Sequence, residues 1–225
     1  MTAPRTLLLI RHGETVWNAE RRFTTHSDVP LSEVGLEQAG AAAAALVATD
    51  IDRIYSSPLR RARVTAEMIA ARQPGRPAVV VDERLIEVDA GPFEGMTADQ
   101  LRSGPMADDY ARWHTNVDPE FPEGAETFDA ALARAAAFLD EHAGETGTTL
   151  VVSHGSLTRL IVSSYFLGGP PPLHRRLWLD NCRMAVVEWR GGLPKITGFN
   201  VASPKVTNGP APRCPGCWSG RGGLA

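Results

Sequence analysis

Short apolar runs alternate along this chain with longer segments of helical period. Residues 6–10, Thr-Leu-Leu-Leu-Ile, form an unbroken apolar stretch, as expected of a strand buried on both faces. Ser32 can cap a helix whose stripe is Leu36, Ala39, Ala43, Leu46 and Val47, and the alanine run there favours helix. Residues 50–55 read as a second strand. Ser57-Pro58 comes next as an N-cap with proline in the first turn, opening a helix through Leu59, Ala62, Ala66 and Ile69. Residues 78–81 predict a third strand. Thr127 caps a helix carrying Phe128, Leu132, Ala135, Phe138 and Leu139. Residues 149–152 predict a fourth buried strand, which ends at Ser153-His154-Gly155 and leads into a helix through Leu157, Leu160, Ile161 and Tyr165. Residues 184–189 alternate as a late strand of antiparallel edge type.

Strands alternating with helices predict the α/β class, a three-layer α/β/α sandwich around a mostly parallel sheet. Two stretches break the rhythm. Residues 91–124 have weak periodicity, the prolines Pro105, Pro119 and Pro122, and the aromatics Phe93, Tyr110, Trp113 and Phe121, the pattern of a small cap insertion with some helix. Residues 203–225 are rich in Pro, Gly, Arg and Ser and read as a mobile tail. The expected organisation is one domain over residues 1–202, then that tail.

Composition narrows the field. With 43% apolar and 22% charged residues, the 225-residue chain can bury a sizeable core, so wholesale disorder is excluded. Lys plus Arg number 23 against 26 Asp plus Glu, a net charge of -3, which argues against a general nucleic-acid binder and leaves room for a local basic pocket. No apolar run reaches the roughly 18 residues that cross a bilayer, and residues 6–10 are too short for a signal-peptide core. The expectation is a cytoplasmic protein with no membrane partner. Of three cysteines, Cys182 reads as a buried small residue, and Cys214 and Cys217 as an incidental pair, since a zinc site would need two more ligands nearby. No metal and no cofactor are expected.

The chemistry lies at the strand exits. The first strand runs into Arg11-His12-Gly13-Glu14-Thr15, the second into Ser56-Ser57-Pro58-Leu59-Arg60-Arg61, and the fourth into Ser153-His154-Gly155. In an open parallel sheet these ends share one edge, where ligands bind. Arginine forks and imidazoles gathered there make a site for a multiply charged oxyanion, above all phosphate. Helix N-termini after each strand, with Gly13 and Gly155 permitting close backbone approach, are expected to add amide donors. No Walker loop or magnesium-type aspartate cluster is present, so nucleotide-driven transfer is disfavoured. A neutral imidazole can itself attack phosphorus, and His12 beside Arg11 suits that role. The departing alkoxide needs a proton, for which Glu87 in Leu85-Ile86-Glu87 is the best-placed carboxyl.

Arg11-His12-Gly13-Glu14-Thr15 with Trp17-Asn18 resembles the signature of the histidine phosphatase superfamily, phosphoglycerate-mutase-like branch. Residues 28–32, 56–62, Thr65-Ala66 and 152–155 match its further blocks in order, so the resemblance covers about residues 5–190. It implies that His12 is the phosphorylated nucleophile and that Arg11, Arg61 and His154 complete the phosphate pocket. Asn18 and the loop at Thr24 and Thr25 would be further phosphate ligands, with Gly155 among the substrate-binding residues, and Glu87 the proton donor, its spacing to Gly91 and Glu94-Gly95 retained. The family aligns Arg61 rather than Arg60 as the catalytic arginine. Thr25 departs from a common glycine, and Ala90 and Phe93 from larger aromatics.

The short separation of Glu87 from His154 resembles compact phosphatases more than cofactor-dependent mutases. The expected activity is hydrolysis of a phosphomonoester of a small metabolite. A phosphoglycerate mutase dependent on 2,3-bisphosphoglycerate is the first alternative, and a catalytically silent phospho-ligand binding protein the second. A homodimer is common among relatives. His26, His114, His142 and His174 lack such motif blocks and read as structural, although His26 could line the pocket.

Overall fold

The computed structural model describes residues 5–115, 118–189 and 193–204. Cys214, Cys217 and most of the expected tail lie outside the described residues. Among the described residues, six strands form one sheet: β1 Arg5–Arg11, β2 Arg53–Ser56, β3 Val79–Val81, β4 Gly147–Ser153, β5 Met184–Trp189 and β6 Lys195–Val201, in the order β3-β2-β4-β1-β5-β6. The pairs β3/β2, β2/β4 and β4/β1 are parallel, whereas β1/β5 and β5/β6 are antiparallel. The sheet is therefore mixed, with its parallel part holding the strand ends that matter. Strand β6 is absent from the sequence expectation; its burial is intermediate along most of its length, which leaves no continuous apolar run to reveal it.

Among the described residues, seven α-helices accompany the sheet: α1 Val16–Ala19, α2 Glu33–Ala45, α3 Arg60–Ala70, α4 Ala98–Ser103, α5 Ala107–Trp113, α6 Phe128–Glu141 and α7 Gly155–Leu160. A π-helical stretch, Ile161–Phe166, continues α7. Successive strand residues face opposite sides of a sheet, and the core divides accordingly. Leu8, Ile10, Leu150 and Val152 pack with α2 and α3 on one face. Leu7, Leu9, Tyr55 and Val151 pack with Phe138 of α6 and Leu157 of α7 on the other. That is the expected three-layer arrangement.

Two local expectations are corrected. The α2 stripe is Gly35, Ala39, Ala42 and Ala43, closed by Leu46, while Leu36 and Val47 are exposed. These small residues let α2 lie close to Ala62, Ala66 and Ile69 of α3. Helix α3 begins at Arg60, with Leu59 at its N-cap, not at Ser57-Pro58. Ser57 Oγ instead accepts from the Leu59 amide at 3.3 Å, a turn that carries the chain off the sheet before the helix starts. Residues 91–113 hold a single 3₁₀ turn, Gly91–Phe93, then α4 and α5. Their aromatic residues close over the α6 face: Phe93, Tyr110 and Trp113 stack edge-on or tilted around Phe23, with centroids 5.4–6.5 Å apart.

Candidate active site

Strand register assembles the site. Arg11 stands opposite Ser153 across β1 and β4, and Ser56 opposite Val152 across β2 and β4. Each ladder continues by one bond past the strand end: His12 N–H donates to the Ser153 carbonyl and Ser57 N–H to that of Val152, both at 3.0 Å. His12, His154 and Ser57 thus leave the sheet side by side. The two imidazole centroids are 5.1 Å apart with planes at 65°. Ser57 Oγ lies 2.7 Å from His154 Nε2.

Arg61, in the first turn of α3, is fully buried beside them. Its Nε donates to His12 Nε2 at 3.2 Å, and its two Nη atoms donate to the carbonyls of Ser27 and Thr25 at 2.8 and 2.6 Å. His12 Nδ1 lies 2.6 Å from the Gly13 carbonyl, which can only accept, so the ring proton sits on Nδ1 and Nε2 keeps its lone pair. Burial, then the charges of Arg61 and Arg11, holds His12 well below the ordinary histidine range. Burial and the same arginines, with His12 between them in weight, do the same to His154. Both rings are therefore neutral at pH 7.

Arg11 Nη1 donates to the Leu179 carbonyl at 2.8 Å. Its Nε and His154 Nδ1 are buried without a hydrogen-bond partner among the described residues. Leaving such groups unpaired costs about 1–3 kcal/mol each, a cost that an oxyanion bonded to Arg11 Nε would remove there. A Cβ on Gly155 would lie 3.3 Å from Arg11 Nε, so this glycine keeps the approach to Arg11 open.

Glu87 reaches the same rim from the segment after β3. Its Oε1 accepts from the amides of Val88 and Leu157, and its Oε2 from Ser156, all at 2.9 Å. The N-terminal amides of α7 thus hold Glu87. Gly13 N–H donates to Thr65 Oγ1, Glu14 N–H to Gln38 Oε1, and Arg60 N–H to Asp28 Oδ1. The expected amide cradle for phosphate is corrected at these positions: those donors are spent on side chains, and the arginines carry the positive charge.

A cavity of about 220 Å³ opens here, lined by Arg11, His12, Asn18, Thr24, Thr25, Glu87 and Gly155, and also by Arg22, Ser156, Arg159 and Trp178. Arg61 and His154 lie buried beneath it. Asn18 Oδ1 accepts from Thr15 N–H at 3.2 Å and Asn181 Nδ2 at 3.4 Å, fixing the orientation of that amide. Thr25 contributes less than expected: its N–H and hydroxyl both bond Glu94 Oε2, and its carbonyl turns to Arg61. Thr24 Oγ1 donates to the Arg22 carbonyl at 3.2 Å. Arg60 is exposed and does not line this cavity. His26 does not line the cavity; its Nε2 lies 2.9 Å from the Glu87 carbonyl. A larger hollow of about 500 Å³ between Phe121, Phe128 and Pro170, Pro171 and Pro172 carries Asp118 and Asp129 and no cation, so its charge is wrong for phosphate.

Sequence reasoning missed three supporting residues and the role of a fourth, Glu94. Arg159 sits one turn into α7 and donates to the carbonyls of Gly155 and Leu177 at 2.9 and 3.1 Å; its four-residue spacing from Gly155 was the available signal. Glu94 ties the loop that receives Arg61, accepting from Thr25 and, at 2.9 Å, from Ser27 N–H. Asn181 donates to the His12 carbonyl at 3.0 Å. Arg134 of α6 donates to the carbonyls of Arg84, Ile86 and Glu87 and pairs with Glu126 through two nitrogens. No local motif announces the last two.

The fold and this rim define a class of protein. The model of the histidine phosphatase superfamily (branch 1) matches residues 7–202, and the chain belongs to that family. A relative from Escherichia coli, probable phosphoglycerate mutase GpmB, is 36% identical over 197 residues, covering 86% of this chain and 89% of its own. The phosphoserine phosphatase of Entamoeba histolytica, solved with 3-phosphoglyceric acid, matches with a TM-score of 0.76 and 30% identity over 88% of this chain and 97% of that one. The alpha-ribazole phosphatase of Shigella flexneri shares the fold, with a TM-score of 0.79, 24% identity, and coverage of 90% and 100%. No helix among the described residues is long and apolar enough to cross a membrane.

Proposed function

We propose that the protein is a phosphatase that hydrolyses a phosphomonoester of a small metabolite through a phosphohistidine on His12. The observation that carries this reading is the tautomer: with Nδ1–H given to the Gly13 carbonyl, Nε2 keeps its lone pair, which accepts from Arg61 Nε, and His12 lines the arginine-bearing cavity. In the proposed reaction the ester phosphate enters among Arg11, Arg61 and His154, and Arg61 exchanges its contact with Nε2 for a phosphate oxygen. Nε2 forms the new N–P bond as the P–O bond to the alcohol breaks, and Glu87 gives that oxygen its proton. A water then attacks phosphorus, Glu87 takes its proton back, and inorganic phosphate leaves. The arginines stabilise the equatorial oxygens in both halves. Metal-independent chemistry and a cytoplasmic setting belong to the same proposal, since every assigned role falls to a side chain and the substrate class is a soluble metabolite.

The name of the Escherichia coli relative supports a second reading, a phosphoglycerate mutase, which differs only in whether water or a bound phosphoglycerate accepts the phosphoryl group. One experiment separates them. Phosphate release is measured over a panel of phosphorylated metabolites, alongside interconversion of 3- and 2-phosphoglycerate with 2,3-bisphosphoglycerate present. A phosphatase releases phosphate from at least one ester faster than it isomerises phosphoglycerate. The reverse order supports the mutase, and binding without either activity in wild type supports a silent binder.

A further inference from the structure

Beyond the phosphate cavity lies a second chamber of about 190 Å³. Both spaces are bounded by Phe23, Thr25, Ser156 and Arg159, so the chamber adjoins the place where the phosphate would sit. Val88, Ala90, Trp113 and Phe128 form the apolar part of its wall, with His114 beside them. Two features do not fit a purely apolar pocket. Arg175 enters it with its guanidinium carbon 4.6 Å from the Trp113 centroid and 5.0 Å from that of Phe128. Its Nη1 donates to the Thr115 carbonyl, while its Nη2 is buried without a hydrogen-bond partner among the described residues.

Arg159 is the second cation of the chamber. It donates to two carbonyls and, at 3.2 Å, to Ser156 Oγ, none of them charged. His174, on the same wall, adds no charge, because burial holds it down to about 4. Two half-buried guanidinium groups thus share a small space lined by aromatics, and neither forms an ion pair with a carboxylate of the described residues. Partly desolvated like charges of this kind are relieved by an anion that bonds the open donor.

Resting on the phosphatase reading, we infer that the alcohol part of the substrate carries a second anionic group, which Arg175 and Arg159 bind, on an apolar or ring-bearing body held by Trp113 and Phe128. Arg175 is then a specificity-determining residue, and the chamber selects anionic esters over neutral ones of the same shape. Carboxylate and phosphate share the required chemistry, and a matched ligand set distinguishes them.

The test uses ligands that cannot turn over: benzylphosphonate and its 4-carboxy and 4-phosphonate derivatives, bound to the full chain and followed by calorimetry. Wild type is expected to bind at least one charged derivative about tenfold more tightly than benzylphosphonate, or about 1.4 kcal/mol. Arg175→Met should abolish that preference and leave benzylphosphonate affinity within about twofold, while Arg175→Lys retains part of it. Equal affinity of wild type for all three ligands overturns the inference without any variant, and so does a preference that survives Arg175→Met. Phosphate release from benzyl phosphate is measured in parallel. Its absence would count against the phosphatase reading, while the binding comparison still decides the anion site.

Discussion

Replacing Arg134 with methionine asks whether Glu87 depends on being braced from behind. Arg134 donates to the carbonyls of Arg84 and Ile86 at 2.7 Å and of Glu87 at 3.1 Å, and holds Glu126 at 2.7 and 2.8 Å. Methionine keeps much of the aliphatic stem and removes all of these donors. The two charged side chains retain 18% and 19% of their surface, so the pair is screened and its worth is discounted accordingly. At about 1 kcal/mol for each lost neutral bond and a similar amount for the discounted pair, the variant loses roughly 3–4 kcal/mol. That corresponds to a Tm lower by about 10 °C for a chain of this size.

The catalytic effect separates positioning from mere stability. Well below the variant's Tm, turnover of an alkyl phosphate, whose leaving group needs Glu87's proton, should fall about 30–100-fold, because misplacement by an ångström costs that much. Turnover of 4-nitrophenyl phosphate, whose leaving group needs no proton, should fall less than about threefold by the same reasoning. Steady-state kcat on the two esters is the assay. Equal losses on both, or none on either, would refute the link from Arg134 to Glu87.

Gly13→Ala would place a Cβ 2.4 Å from the Gly35 carbonyl oxygen, a backbone atom with little freedom; chemical denaturation should show a loss of about 3 kcal/mol, as for other overpacked sites. Glu94→Gln removes one of the two oxygens that tie Thr25 and Ser27, freeing the loop that receives Arg61. Inhibition by inorganic phosphate should weaken several-fold, and an unchanged inhibition constant would contradict that chain of contacts. His12 and His154 lie well below the ordinary histidine value, and His174 is pushed down to about 4. In each case the unfolded chain binds the proton first, so stability is fully present above pH 6.5 and falls as pH drops towards 4. The slope is up to about 1.4 kcal/mol per pH unit for each histidine, and urea midpoints that stay flat from pH 7 to 5 would refute it.

Much of this site is legible because strand ends are legible. The apolar runs before Arg11 and Ser153 are short and unbroken, and parallel pairing then brings His12 and His154 together without further information. The hidden parts depend on partners distant in the chain. Strand β6 pairs only with β5 and has mostly intermediate burial, so its apolar pattern is weak. Arg134, Asn181 and Arg175 are exposed-type residues whose use is set by tertiary contact, with no local spacing to mark them. The helix N-termini depart from expectation for a related reason: the geometry that suits phosphate equally suits a carboxylate, and the chain supplies its own in Glu87.

Transfer of the phosphoryl group to His12 Nε2 is tested most directly by mixing the enzyme with a ³²P-labelled ester that it turns over, quenching in alkali within the first turnovers, and locating the label by peptide mapping. Alkali-stable label approaching one per chain on the peptide containing His12, and none in His12→Ala, is the predicted result. Steady hydrolysis by wild type with no label on His12, or undiminished hydrolysis by His12→Ala, would contradict it.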